Sequence, residues 1–211
     1  DDTEALSISY TTLGNALAAI PLLRLSISYF ARAKQVAIVI DEPGTWAWYY
    51  LATGMSKGAV GDWDGHDKAL IKSQGIAEAQ GDRRRWEEST AVYSIGGLTY
   101  GNLASVIKTG HIYQQIYASG FSRGDYQSQS WGYCMWALSA ITQGQYAIAR
   151  KIATKLEKLY LEHPEGFDSS STLEAFTSFS LLAIREQDRV RAIEYLEAGA
   201  ALVEKWGRPT T

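Results

Sequence analysis

After each of several short polar turns the chain returns to one spacing of apolar positions. The last stretch carries Ala192, Tyr195, Leu196, Gly199, Leu202, Val203 and Trp206. These are steps of three, four and seven residues, the stripe of a helix with 3.6 residues per turn. Moving back 43 residues puts Ala149, Ile152, Ala153, Leu156, Leu159 and Tyr160 in the same slots. A further 43 gives Val106, Thr109, Gly110, Tyr113, Ile116 and Tyr117, and another 40 gives His66, Ala69, Leu70, Ser73, Ile76 and Ala77. A fainter copy falls on Leu25, Ser28, Tyr29, Arg32, Gln35 and Val36.

The turns repeat with the stripes. Ile20-Pro21, Gly61-Asp62, Gly101-Asn102, Gly144-Gln145 and Gln187-Asp188 form one series, with Gly44, Gly81-Asp82, Gly124-Asp125 and Gly166 between them. Pro21, Pro43, Pro164 and Pro209 stand at helix boundaries, because proline inside a helix costs about 3 kcal/mol. Two interleaved turn series at one period describe helical hairpins. The pattern predicts ten helices in five hairpins: 3–18 with 21–40, 44–59 with 63–80, 83–99 with 102–119, 126–142 with 146–162, and 170–186 with 189–206. The expected fold is all-α: an α-solenoid of about five antiparallel, tetratricopeptide-like hairpins with a period of 40–43 residues, residues 1–211 forming a single domain. The first helix of a hairpin is the more apolar all round. In 126–142, Trp131, Cys134, Met135 and Leu138 share one face, while Tyr133, Trp136, Ala137 and Ala140 cover another.

The turns Gly61-Asp62-Trp63, Gly81-Asp82 and Gly124-Asp125 resemble those of tetratricopeptide-like arrays with an extended period. The stretch from Ile76 through Gly81-Asp82-Arg83-Arg84-Arg85-Trp86 to Ser89 is similar to a segment of one particular family. So are Arg123-Gly124-Asp125 through Ser130-Trp131-Gly132 and Arg208-Pro209-Thr210. That family is the large multidomain signalling proteins in which an adenylate/guanylate cyclase module precedes an AAA-type ATPase and a C-terminal helical repeat region. The resemblance covers nearly the whole chain but only the repeat region. It implies a fragment of a longer array, a regulatory role, and cyclase and ATPase chemistry located elsewhere; no Gly-x-x-x-x-Gly-Lys-Ser/Thr phosphate loop occurs here. Two departures stand out: His66 where a small residue is usual at the hairpin crossing, and Gln187-Asp188 in place of Gly-Asp.

Composition narrows the partners. Hydrophobic residues make up 46% and charged residues 20%, which excludes a mainly disordered chain. A net charge of −3 gives no electrostatic footprint for nucleic acid or anionic lipid. One cysteine, Cys134, excludes an internal disulfide framework and fits a reducing compartment. The start, Asp1-Asp2-Thr3-Glu4, is acidic where a signal peptide needs positive charge, and the apolar run from Ala16 to Leu23 is shorter than the roughly 20 residues that span a bilayer. A cytoplasmic protein with no membrane and no nucleic-acid partner is the expectation.

The candidate chemistry points the same way. Asp62-Trp63-Asp64-Gly65-His66-Asp67 fails the calcium-loop pattern, since His66, Asp67 and Ser73 fall where the oxygen ligand of position 5, the glycine of position 6 and the glutamate of position 12 belong; Asp62 or Asp64 capping the following helix is the better reading. His66, His111 and His163 lie in different hairpins without metal-ligand spacing, and Cys134 has no catalytic neighbour in sequence. No catalytic residue, metal or cofactor is expected. Arg83-Arg84-Arg85 reads as a helix end salt-bridged by Glu87-Glu88. Trp86, Tyr93 and Tyr100 fall at heptad spacing and read as core, and Gly96-Gly97 as a close helix approach or a kink. Trp46 and Trp48, two positions apart, point about 200° apart on a helix, so one of them can face a groove with Tyr49 or Tyr50. Arg84, Tyr93 and Tyr133 complete the candidate partner contacts. The expected function is a non-catalytic scaffold for a protein, a peptide or a neighbouring domain. The alternatives are a small all-α enzyme or ligand-binding domain with its pocket in the groove, and self-association through uncapped ends, where Val203 and Trp206 lie. An α/α-barrel glycosidase would need about six hairpins and paired carboxylates, and the Asp-rich motif of terpene synthases is absent.

Overall fold

The computed structural model describes residues 2–20, 22–167 and 169–207. Among these there are ten α-helices and no strand: α1 Asp2–Ala19, α2 Leu23–Ile40, α3 Pro43–Ala59, α4 Trp63–Gln80, α5 Arg83–Thr99, α6 Leu103–Arg123, α7 Tyr126–Thr142, α8 Tyr146–Glu162, α9 Ser169–Arg185 and α10 Arg189–Gly207. Pro21 and the Arg208-Pro209-Thr210 segment lie outside the described residues, as do the side chains of His111, Val203 and Trp206.

The turns explain why the chain breaks where it does. Gly61, Gly81, Gly101, Gly124 and Gly144 adopt φ between 66° and 81°, and Gln187 adopts 61°. The left-handed residue ends one helix, and the next residue closes it by donating its N–H back to a carbonyl five positions earlier. Asp62 reaches Lys57 O, Asp82 reaches Ala77 O, Asp125 reaches Gly120 O, Gln145 reaches Ala140 O and Asp188 reaches Ala183 O, at 2.8–2.9 Å. This is a Schellman closure. Each aspartate then caps the following helix: Asp62 accepts from Gly65 N–H at 3.0 Å, Asp82 from Arg85 N–H at 3.0 Å, Asp125 from Ser128 N–H at 3.1 Å and Asp188 from Arg191 N–H at 3.1 Å. One residue therefore ends a helix and starts another, which is why these turns are so short.

Two turn assignments change. Gly44 sits in the first turn of α3 behind Pro43, and the positive φ falls on Asp41 at 49°. Gly166 belongs to a 3-10 turn, Pro164–Gly166, packed against Tyr126. Helix α6 also runs to Arg123, past the expected end at 119. Gln187 and Asp41 are the described non-glycine residues with positive φ, a conformation that costs an L-residue about 1–2 kcal/mol. Gln187→Gly should raise stability by about 0.5–1 kcal/mol after the extra entropy of unfolded glycine is subtracted, read as a higher midpoint in urea; a lower midpoint would show the Gln187 side chain contributing more than its backbone loses.

The chain divides into two compact units, residues 1–101 and 102–211. In the first, α1 packs on α2 and α3 on α4, α3 also meets α1, α2 and α5, and α4 packs on α5. Leu51, Leu70, Ala33, Ala47 and Ala52 are fully or almost fully buried there. The fainter stripe of α2 moves by one residue: Ser26, Phe30, Ala33 and Ala37 are buried, whereas Leu25 is 52% exposed. The spacing to His66, Leu70, Ser73 and Ala77 is then 40 residues, and the pattern is no longer weak. In the second unit α7 meets α6, α8 and α9, and α9 packs on α8 and α10. Helix α7 is buried on most sides, and its Cys134 and Ala137 share a core with Ala149, Leu156, Ala175 and Phe179.

Candidate functional site

Helix α3 separates the two tryptophans. Trp46 stacks on Tyr50 with ring centroids 5.7 Å apart and meets Tyr49 edge-on, also at 5.7 Å. Its indole N–H donates to Asp41 Oδ1 at 3.3 Å, tying the cluster to the left-handed residue that ends α2. Tyr49 leans edge-on against Phe30 of α2 at 6.3 Å, and Lys72 of α4 places Nζ 5.2 Å from the Tyr50 ring. Trp46, Tyr49 and Tyr50 thus lie on the side of α3 between α2 and α4, all half-buried. Trp48 points the other way, where the Arg85 guanidinium of α5 covers its ring at 4.5 Å; its buried indole N–H has no hydrogen-bond partner among the described residues.

The other candidates are dispersed. Arg84 and Tyr93 are half-buried on α5. Tyr133 belongs to the second unit, 5% exposed and stacked on Tyr117 at 4.1 Å; burial raises its pKa, with the Tyr117 hydrogen bond adding to the effect. The arginine run is ion-paired, Arg83 to Glu87 at 3.0 Å and Arg85 to Glu88. The Glu88 pKa nevertheless lies above the usual carboxylate value, because burial outweighs the neighbouring arginines. Among the described residues no group of three or more His, Cys, Asp or Glu could hold a metal ion, and no helix is long and apolar enough to cross a membrane.

Beside the aromatic cluster runs a groove of about 490 Å³, lined chiefly by Leu23, Ile27 and Phe30 of α2, by Tyr49 and Thr53 of α3 and by Val60 just past its end. That volume is in the range of ligand and peptide sites. Its hydroxyls are largely engaged inside the protein: Ser26 donates to Gly14 O at 2.7 Å and Thr53 to Tyr49 O at 2.8 Å. Burial, followed by the nearby Tyr50, holds the Tyr49 phenol above its ordinary pKa, so it stays a neutral donor. One end is closed by Lys57 and Asp62, 3.0 Å apart.

The ion pair gives the groove a pH signature. The Lys57 hydrogen bond, then the Gly65 N–H, hold the Asp62 carboxyl below its ordinary value. A depressed folded pKa contributes stability above the unfolded pKa that is lost as pH falls through the folded one. Asp62→Asn keeps an acceptor for Gly65 but loses the charge. The melting temperature of the variant should therefore fall less than that of wild type between about pH 5 and about pH 2; parallel curves would remove Asp62 from the acid response.

The corresponding groove of the second unit is filled. Counted from the left-handed residues Gly61 and Gln187, Thr53 and Val60 correspond to Phe179 and Glu186, and Ala69 to Tyr195. From the buried faces of α2 and α8, Ile27 and Lys34 correspond to Arg150 and Glu157. In the second unit Arg150 bridges to Glu186 at 2.6 Å and the Tyr195 hydroxyl donates to Glu157 at 3.1 Å. These two links reduce the space there to about 90 Å³. The first unit has Ile27 with Val60, and Lys34 with Ala69, at these positions, and neither pair can form the corresponding link. Sequence reasoning missed Leu23, Ile27, Phe30 and Val60. The available signal was the apolar, acid-free outer face of α2, where Ile27 is 69% and Ile38 59% exposed.

Comparison with known protein families and with curated proteins finds no match to this sequence.

Proposed function

We propose that this chain is a non-catalytic helical-repeat scaffold, a tetratricopeptide-like α-solenoid that docks a partner protein on the α3 surface between α2 and α4. The observation that carries this reading is the half-exposed ring cluster of Trp46, Tyr49 and Tyr50 beside an open apolar groove. Aromatic residues anchored at the edge of a groove are the usual centres of interface energy. Two of the lining hydroxyls, Ser26 and Thr53, are engaged with backbone carbonyls, and the lining charges form one ion pair, which suits holding a partner better than reacting with a substrate. The similarity of the Gly81-Asp82 and Gly124-Asp125 segments to the repeat region of cyclase/ATPase signalling proteins supports a regulatory role within such a polypeptide, the partner then being a neighbouring domain or a separate protein.

The reading is tested by photocross-linking. p-Benzoylphenylalanine placed at Trp46, in an extract of the source cells, should give one discrete protein adduct that disappears with Tyr50→Ala. The same group at Lys158, 72% exposed on α8 of the second unit, should give none. Absence of a discrete adduct at position 46, or the same adduct at both positions, rejects the reading.

A further inference from the structure

The groove in the first unit differs from its filled counterpart in charge as well as in shape. Helix α2 carries Arg24, Arg32 and Lys34 and no acidic residue. Arg32 lies over the Tyr29 ring, while Arg24 and Lys34 have no ion-pair partner among the described residues. Both flank the apolar line: Arg24 is three positions before Ile27, and Lys34 is seven after it, so all three lie along one side of the helix. The position of Lys34 is held by Glu157 in the second unit, where the carboxylate accepts from Tyr195. The first unit thus has a cation where the filled groove has an anion, and Ala69 where it has an aromatic ring.

We propose that the α2–α3 groove binds an amphipathic helix of a partner protein, its apolar face on Ile27, Phe30 and Val60 and its acidic flank on Arg24 and Lys34. The proposal rests on the scaffold reading and specifies the partner. A helix suits the site better than an extended peptide: the lining hydroxyls of Ser26 and Thr53 already donate inward, which leaves too few lining donors to pair an extended backbone, whereas a helix satisfies its own. A small apolar carboxylate fits less well, because such ligands are buried by about 70–90%, whereas Ile27 and Val60 leave the walls 69% and 50% exposed. From Tyr49 to Val60 the groove follows α3 for about 16 Å, or three helical turns, enough for anchors at i, i+3 or i+4, and i+7.

The probe is a fluorescein-labelled helical peptide of about 15 residues, with leucines at i, i+3, i+4 and i+7 and glutamates beside them. It is compared by anisotropy with the same peptide carrying lysines and with a fluorescent long-chain fatty carboxylate. The glutamate peptide should bind saturably, more weakly as salt rises, and at least about tenfold more tightly than the lysine peptide. Ile27→Glu, at an exposed position, should weaken it by about tenfold or more with the helical circular dichroism unchanged. The double variant Arg24→Glu/Lys34→Glu should invert the preference toward the lysine peptide. Equal binding of both peptides, binding of the fatty carboxylate alone, or binding indifferent to Ile27→Glu would overturn the proposal. If the Trp46 cross-link survives Ile27→Glu and is not displaced by the glutamate peptide, the scaffold reading stands and the helix groove falls; if no cross-link forms at all, the scaffold reading itself fails.

Discussion

Gly132→Ala should destabilise the protein by about 1–3 kcal/mol, a large effect for a single added methyl. Gly132 lies in the middle of α7 where α6 crosses it. A Cβ there would meet Tyr117 N at 2.6 Å, Tyr117 Cβ at 2.7 Å and Tyr117 Cα at 2.8 Å. Two of these three are backbone atoms of a helix, so no side-chain rotation relieves the overlap and α6 must move away from α7. That movement would also separate Tyr117 from Tyr133, now stacked at 4.1 Å. Alanine improves intrinsic helix propensity by about 1 kcal/mol, which steric overlap of this kind outweighs. Gly75 is the control. It lies within α4 with nothing inside 4 Å of its would-be Cβ, so Gly75→Ala should stabilise by about 0.5–1 kcal/mol. Urea denaturation of both variants measures the contrast. A Gly132→Ala protein as stable as wild type would mean that the α6–α7 approach can widen without loss.

The second large effect concerns His66, 3% exposed at the crossing of α3, α4 and α5. Its Nδ1 lies 2.9 Å from the Gly54 carbonyl, which can only accept, so Nδ1 carries the proton. Nε2 is buried without a hydrogen-bond partner among the described residues and faces Gly96, where a Cβ would overlap it. Gly58 also crowds the ring, with a would-be Cβ 2.8 Å from Nδ1. Gly58 of α3 and Gly96 of α5 therefore make room for the ring. Gly96→Ala should cost about 2–3 kcal/mol by forcing the ring off its hydrogen bond. His66→Ala should cost about 2–4 kcal/mol by leaving a ring-sized cavity. In the double variant the new methyl occupies part of the space the ring vacated. The two losses should fall short of their sum by at least about 1.5 kcal/mol. Losses that add to within about 0.5 kcal/mol would show that the glycine and the ring do not accommodate each other.

The Gly96-Gly97 pair illustrates how far sequence could be read. Glycines inside an apolar-periodic helix signal a close approach, and Gly96 is one. What approaches it is a histidine thirty residues earlier, and local pattern carries no information about that distance. The tryptophans behave alike. Helical geometry separates Trp46 from Trp48, but which joins the tyrosines depends on Phe30 of α2, Lys72 of α4 and Arg85 of α5. Tyr133 shows the limit: an aromatic on an all-round apolar helix looks the same whether it lines a surface or stacks on Tyr117 in the interior.

The sequence by itself determined the ten helices and most of their ends, α6 running four residues further than expected, because those outcomes are local. A residue tolerating positive φ followed by an aspartate or another capping residue closes one helix and opens the next, whatever the helices later pack against. It also determined which face of most second helices turns inward, through the shared apolar register. Tertiary structure decided the α2 register, one residue further on than the spacing placed it, because Phe30 and Ala33 are the side chains that pack beneath neighbouring helices while Leu25 stays exposed. It decided too that the groove over α3 stays open while its counterpart over α9 closes. Closure needs Arg150 to reach Glu186 and Tyr195 to reach Glu157, pairs 36 and 38 residues apart, and only the folded chain brings such partners within hydrogen-bonding distance.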